Sequence, residues 1–186
     1  IDGILLVVAL IVVLLILLVV YRSPLLPLVV LASSLFGLCV AALIIRPLAK
    51  AEIITLSGMS QGILFILVVG AATDYALLLV SRYREELHDH PDALTALNAA
   101  WRASLEPIAA SAATVALGLL CLLLSDLGNT RGLGPVGAIG VLSAFVSCLT
   151  FLPAMLLLLG RAAFWPKVPR VDHVHSEDVL GTRSIW

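Results

Sequence analysis

Gly62-Ile63-Leu64-Phe65-Ile66-Leu67-Val68-Val69-Gly70-Ala71-Ala72-Thr73-Asp74-Tyr75-Ala76-Leu77-Leu78-Leu79-Val80 sets a single carboxyl group inside an otherwise apolar run. Apart from the neighbouring Tyr75 phenol, Asp74 is the only ionisable side chain in it. A spanning helix needs about 20 mainly apolar residues, so the run is long enough to cross a bilayer. A carboxylate at the centre of such a helix costs about 2.5–3.5 kcal/mol on insertion scales. Groups carried at that cost usually face a protein interior and mark an ion or proton path.

The surrounding chain has lipid as its solvent. Of its 186 residues, 61% are hydrophobic and only 12% are charged. Mean hydropathy is +1.14. A soluble domain would be nearer a quarter charged. Four more apolar runs accompany the Asp74 run, and none alternates polar with apolar as barrel strands do. The reading is therefore all-α: a polytopic membrane helical bundle of five transmembrane helices. The spans are expected at about 4–21, 25–45, 61–81, 108–124 and 136–159. Arg22-Ser23-Pro24 closes the first and Arg46-Pro47 the second, because the residue before a proline disfavours helix.

Residues 82–106 form a more polar stretch, broken at His90-Pro91-Asp92. Asp92 is a candidate N-cap. Beyond it Leu94, Leu97, Trp101 and Leu105 recur at helical spacing. They predict an amphipathic helix at about 92–104 on the membrane surface, with Trp101 at headgroup level. An ordinary hairpin helix is the alternative. Residues 161–186 read as a cytoplasmic linker. Arg22, Arg82, Arg84, Arg102, Arg161, Lys167, Arg170 and Arg183 fall on one side of the membrane. Arg46, Lys50 and Arg131 fall on the other. This imbalance places the N-terminus outside and the C-terminus in the cytoplasm. No basic segment or cleavage site marks a signal peptide. An outside start then requires an earlier span, so the sequence reads as part of something longer.

Asp74 lies roughly 12 Å from the inner end expected for its helix at Arg82. Its apolar surroundings disfavour the charged carboxyl. A carboxyl that can be neutral or charged at modest cost is what proton coupling needs, and each proton brings about 2.3 kcal/mol per 100 mV. Tyr75 is turned about 100° around the helix. It either reaches a carboxylate in another subunit or half, or fills core space. Thr73 can return its hydroxyl to the backbone. Span four has a small-residue face that can meet the Asp74 helix, with Ser111 and Thr114 as candidate partners for the carboxyl. Gly58 and Gly62 form a GxxxG, Gly70 lies one turn before Asp74, and Gly134, Gly137 and Gly140 recur every three residues. These glycines suit close helix contacts.

Other chemistries find little support. Cys39, Cys121 and Cys148 lie in apolar runs and read as small buried hydrophobes, with no metal-ligand spacing. His88, His90, His173 and His175 lie in polar segments and read as solvated. No metal or other cofactor is expected. A net charge of −1 argues against a nucleic-acid partner. No span holds a histidine to activate a serine or a second carboxyl to pair with Asp74, so the reading is not an enzyme.

Gly70-Ala71-Ala72-Thr73-Asp74-Tyr75-Ala76-Leu77-Leu78-Leu79-Val80-Ser81-Arg82-Tyr83-Arg84-Glu85-Glu86-Leu87 closely resembles the Asp-Tyr helix of MmpL-type transporters, of the resistance-nodulation-division superfamily. Tyr21-Arg22-Ser23-Pro24, Ala99-Ala100-Trp101-Arg102-Ala103-Ser104 and the glycine-rich segment 132–140 resemble the same family. The resemblance implies twelve spans in two halves, with an extracytoplasmic porter domain after the first span of each. These helices would be spans two to six of the first half, in a bacterial cell (inner) membrane. It also implies export of lipids or other hydrophobic molecules, driven by the proton gradient. Asp74 and Tyr75 match the proton relay of the first half. The implied partners are membrane lipids, the hydrophobic substrate, the second half and the porter domains. Two other readings stay open. One is a lipid-binding regulatory module like a sterol-sensing domain, and the other is an inactive truncated fragment.

Overall fold

The computed structural model describes residues 2–21, 23, 25–52, 58–125 and 128–160. The linker expected at 161–186 lies outside them. Five helices follow in order: α1 (Asp2–Tyr21), α2 (Leu25–Lys50), α3 (Gly58–Asp89), α4 (Ala93–Leu120) and α5 (Gly128–Leu159). A 3-10 turn, Cys121–Leu124, extends α4. Among the described residues Leu25–Lys50, Ser60–Asp89, Ala93–Leu124 and Gly132–Leu159 are long and apolar enough to cross a membrane. The remaining expected span falls in α1, which contains a shorter apolar segment, Leu10–Val19. The chain is a helical membrane bundle.

α5 is the hub, packing against α2, α3 and α4, while α1 leans on α2 and α3. The shared core takes Val30, Ala41, Val68, Ala72, Leu79, Ile108, Val141, Ala144 and Leu152. Outward faces carry large apolar side chains, including Ile4, Val19, Leu43, Leu117 and Leu158. In lipid such faces need no cover, so tight fit between helices does the work that water exclusion does elsewhere.

α2 and α5 fit closely. The Ser147 hydroxyl donates to the Ser33 carbonyl at 2.6 Å and lies 3.1 Å from the Ser33 hydroxyl. Ser34 donates to Leu31 O at 2.8 Å. One turn on, a methyl group at Gly37 would meet Ala144 Cα and Ser147 Cβ, both at 3.3 Å. Phe36 stacks on Phe151 with centroids 4.8 Å apart.

Several helix limits differ from those expected. α2 continues past Arg46 to Lys50 with Pro47 inside it. Pro47 lies in the last turn, where its missing N–H leaves the Leu43 carbonyl without a helical donor, and Glu52, in the left-handed region at φ 58°, ends the run. α3 runs on to Asp89. Its buried stripe Leu79–Tyr83–Leu87 continues at i, i+4, and Arg82 pairs with Glu85 at 3.1 Å. The surface helix expected at 92–104 is not separate: residues 93–120 form one helix. Its first turns bury Ala96, Leu97, Ala100 and Ser104, and the Trp101 indole N–H donates to Leu149 O on α5 at 3.1 Å. Asp92 sits at the N-cap position with extended backbone, but its side chain makes no capping bond.

Candidate functional site

α3 has two faces of different character. One is buried and runs Leu64, Val68, Ala72, Ala76, Leu79 and Tyr83. The other is outward and runs Ile66, Asp74, Leu78 and Arg82. Successive residues are turned about 100°, so Asp74 and Tyr75 part company. Asp74 is exposed at the chain's surface, whereas Tyr75 is 6% exposed. Among the described residues the carboxyl faces outward and not to the interior expected of it, and of the two readings open for Tyr75 the phenol takes the inward one.

Tyr75 turns towards α4, where it lines one cleft together with Ser111. Among the described residues no side-chain hydrogen bond joins Ser111 to the Asp74 carboxyl. Thr114 also misses Asp74, because its hydroxyl donates to Ala110 O in its own helix at 2.8 Å. Thr73 does return its hydroxyl to the backbone. It donates to Val69 O at 2.9 Å and to Gly70 O at 2.8 Å. That places a bifurcated back-bond in the turn just before Asp74, where such bonds tend to bend a helix.

Asp74 and Tyr75 both line an open cleft of about 500 Å³ between α3 and α4. Ile66, Gly70 and Leu78 form its α3 wall, and Pro107, Ser111 and Val115 its α4 wall. The lining is mostly apolar, with the carboxyl, the phenol and the Ser111 hydroxyl as its polar groups. The lining residues Pro107, Ile108 and Val115 were not expected. Their spacing with Ser111 traces one face of α4, which is a signal the sequence does carry.

The glycines divide sharply. At Gly62 and Gly70 an added methyl would meet nothing within 4 Å, and Gly58 is exposed. Gly62 and Gly70 make no close contact among the described residues. At Gly137 the methyl would meet Leu119 Cδ1 at 3.1 Å, and at Gly140 Leu64 Cδ1 at 2.6 Å. At Gly134 it would meet the Leu119 carbonyl at 2.6 Å. The α5 glycines thus seat α3 and α4, and Gly37 does the same for α2 and α5. Of the cysteines only Cys148 is buried, while Cys39 and Cys121 lie on outward faces. Among the described residues no group of His, Cys, Asp and Glu gathers that could hold a metal.

The MMPL family model matches residues 1–183. The chain belongs to the MMPL family. The resemblance carried by the Asp-Tyr helix thus extends over almost the whole MMPL sequence. It is 62% identical over 186 residues to a Streptomyces coelicolor protein described only as a membrane protein, SCO0839. It is 37% identical over 176 residues to the apo-petrobactin exporter of Bacillus anthracis. It is also 37% identical over 150 residues to the sulfolipid-1 exporter MmpL8 of Mycobacterium tuberculosis. Those matches take in 100%, 95% and 77% of this chain, but 26%, 24% and 13% of the relatives. The MMPL chain thus spans about a quarter or less of the length of these relatives.

Proposed function

We propose that this chain supplies membrane helices to a proton-driven exporter of lipids or other hydrophobic molecules, with Asp74 and Tyr75 as half of its proton relay. The observation that carries the reading is the placement of Asp74. A carboxyl exposed partway along a spanning helix, on the wall of a largely apolar cleft, is costly unless something uses it. A carboxylate there accepts a proton, becomes neutral and loses most of its penalty for lying in lipid or protein. Release to the other side returns the charge. Each cycle takes up about 2.3 kcal/mol per 100 mV of membrane potential.

Tyr75 and Ser111 stand behind the carboxyl as a hydroxyl pair that can donate and accept. The outward aim of Asp74 leaves the relay to be completed by a neighbouring membrane domain, the second half. Thr73 shapes the helix at this point, and Thr114 has no part in the relay. Export is supported by the relatives named as exporters of sulfolipid-1 and of apo-petrobactin, and a lipid cargo by the first of them. The distribution of Lys and Arg supports an outside N-terminus and a cytoplasmic C-terminus. A proton gradient is the sole energy source assigned, with no cofactor and no enzymatic step.

The test compares the surface lipids of cells carrying full-length wild type or Asp74→Asn at matched abundance. Loss of one lipid class in the variant supports the reading and names the cargo class. If the lipids are unchanged, proton flux into reconstituted vesicles decides. Equal flux in both proteins would sink the relay and favour a lipid-sensing module.

A further inference from the structure

An α-helix is held by bonds from each N–H to the carbonyl four residues earlier. Proline has no N–H, so a proline inside a helix leaves that earlier carbonyl without its helical donor. Pro153 lies inside α5. The carbonyl it leaves is that of Leu149. This is the same carbonyl that receives the Trp101 indole N–H from α4, at 3.1 Å. Spanning helices tolerate proline because something else satisfies the freed group, and a donor from a neighbouring helix is one such means.

We propose that Trp101 replaces the backbone donor removed by Pro153 and thereby fixes the position of α4 along α5. Two features favour this over plain packing. Indole nitrogen is donor-only, so it suits a lone carbonyl and needs no acceptor of its own. The bond also joins two helices, where the lost helical bond would have joined a helix to itself. Trp101 is a positioning residue for the cleft. Pro107 and Ser111 follow it on α4 by roughly 9 and 15 Å along the axis. α5 in turn is held to α2 through Ser147, two residues before Leu149. The α4 wall of the Asp74 cleft is thus referenced to the hydrogen-bonded α2–α5 seam.

The test is a four-member cycle in the full-length protein: wild type, Trp101→Phe, Pro153→Ala and both together. Phenylalanine keeps an aromatic ring but removes the donor, and alanine at 153 gives Leu149 its helical donor back. Thermal midpoint is read in each. So is the labelling rate of Val115→Cys in the cleft, with Cys39, Cys121 and Cys148 changed to alanine. Trp101→Phe is expected to lower the midpoint by about 3 °C or more and to change the labelling rate about threefold. The double variant should recover the midpoint but not the labelling rate, because the carbonyl is satisfied while the link to α4 is still missing. Recovery of both readouts, recovery of neither, or no effect of Trp101→Phe would each overturn the proposal. If Trp101→Phe fails to reach the membrane, rescue of its abundance by Pro153→Ala supports the donor exchange, and failure of rescue overturns it. Neither readout depends on what the protein transports.

Discussion

The α2–α5 seam and the outer face of the α3–α4 hairpin are made from similar residues but end in opposite states. Both carry serine hydroxyls and a glycine on a spanning helix. In the seam, Ser33 and Ser147 bond across the interface, and Gly37 lets backbone approach backbone. On the outer face, Gly70 meets nothing within 4 Å and Asp74 stands exposed beside an open cleft. Among the described residues one surface has found its partner and the other has not. In lipid, apolar exposure is free but polar exposure is not. The carboxyl therefore marks the unfinished side more firmly than any apolar patch could.

This contrast can be broken most directly at its polar end. Asp74→Asn in the full-length protein should reduce export to background while leaving membrane abundance unchanged. The side chain supports no packing in this chain, and its loss of charge favours insertion. A large fall in abundance instead would make Asp74 structural. Next come matched glycine substitutions. Gly37→Leu should cost roughly 1–3 kcal/mol of stability by forcing α2 from α5, seen as a lower thermal midpoint. Gly70→Leu should leave that midpoint within about 0.5 kcal/mol of wild type, as for other surface changes. Equal losses at both positions would erase the distinction between the two surfaces. Tyr75→Phe should lower export only a few-fold, since it removes one hydroxyl but leaves the carboxyl and Ser111 in place, an effect of about 1 kcal/mol. Wild-type export rates would return Tyr75 to a purely packing role. The smallest effect is expected at Thr114→Ala. Its hydroxyl serves only its own helix, and export should stay within about twofold of wild type.

Much of the fold could be read from the chain because lipid imposes length. Runs of Leu, Val and Ile in 25–45 and 136–159 could hardly be anything but spans. What escaped was where helices outlast their apolar runs. Arg82 and Glu85 look like loop residues by composition, yet at i, i+3 they support a helix while Tyr83 and Leu87 bury its other face. The prolines misled in the same way at Arg46-Pro47. At the site, Asp74 was legible as a residue but not as a direction. When a helix is apolar all round, its sequence does not say which face its neighbours occupy. That is why the outward turn of Asp74 was not legible, nor which of its two readings Tyr75 would take. The Trp101 contact was out of reach for a different cause. Its partner is a backbone carbonyl 48 residues away, and a carbonyl leaves no mark in sequence.

α3 runs unbroken for 32 residues, which is roughly 48 Å against a hydrocarbon core of about 30 Å. Asp74 lies near its middle, and Asp89 closes it about 22 Å further on. A stiff rod of this kind acts as a pointer. Tilting it by about 5° at the carboxyl sweeps its far end through roughly 2 Å. The corner between α3 and α4 is therefore a place from which a change of α3 tilt at Asp74 can be watched from outside the bilayer.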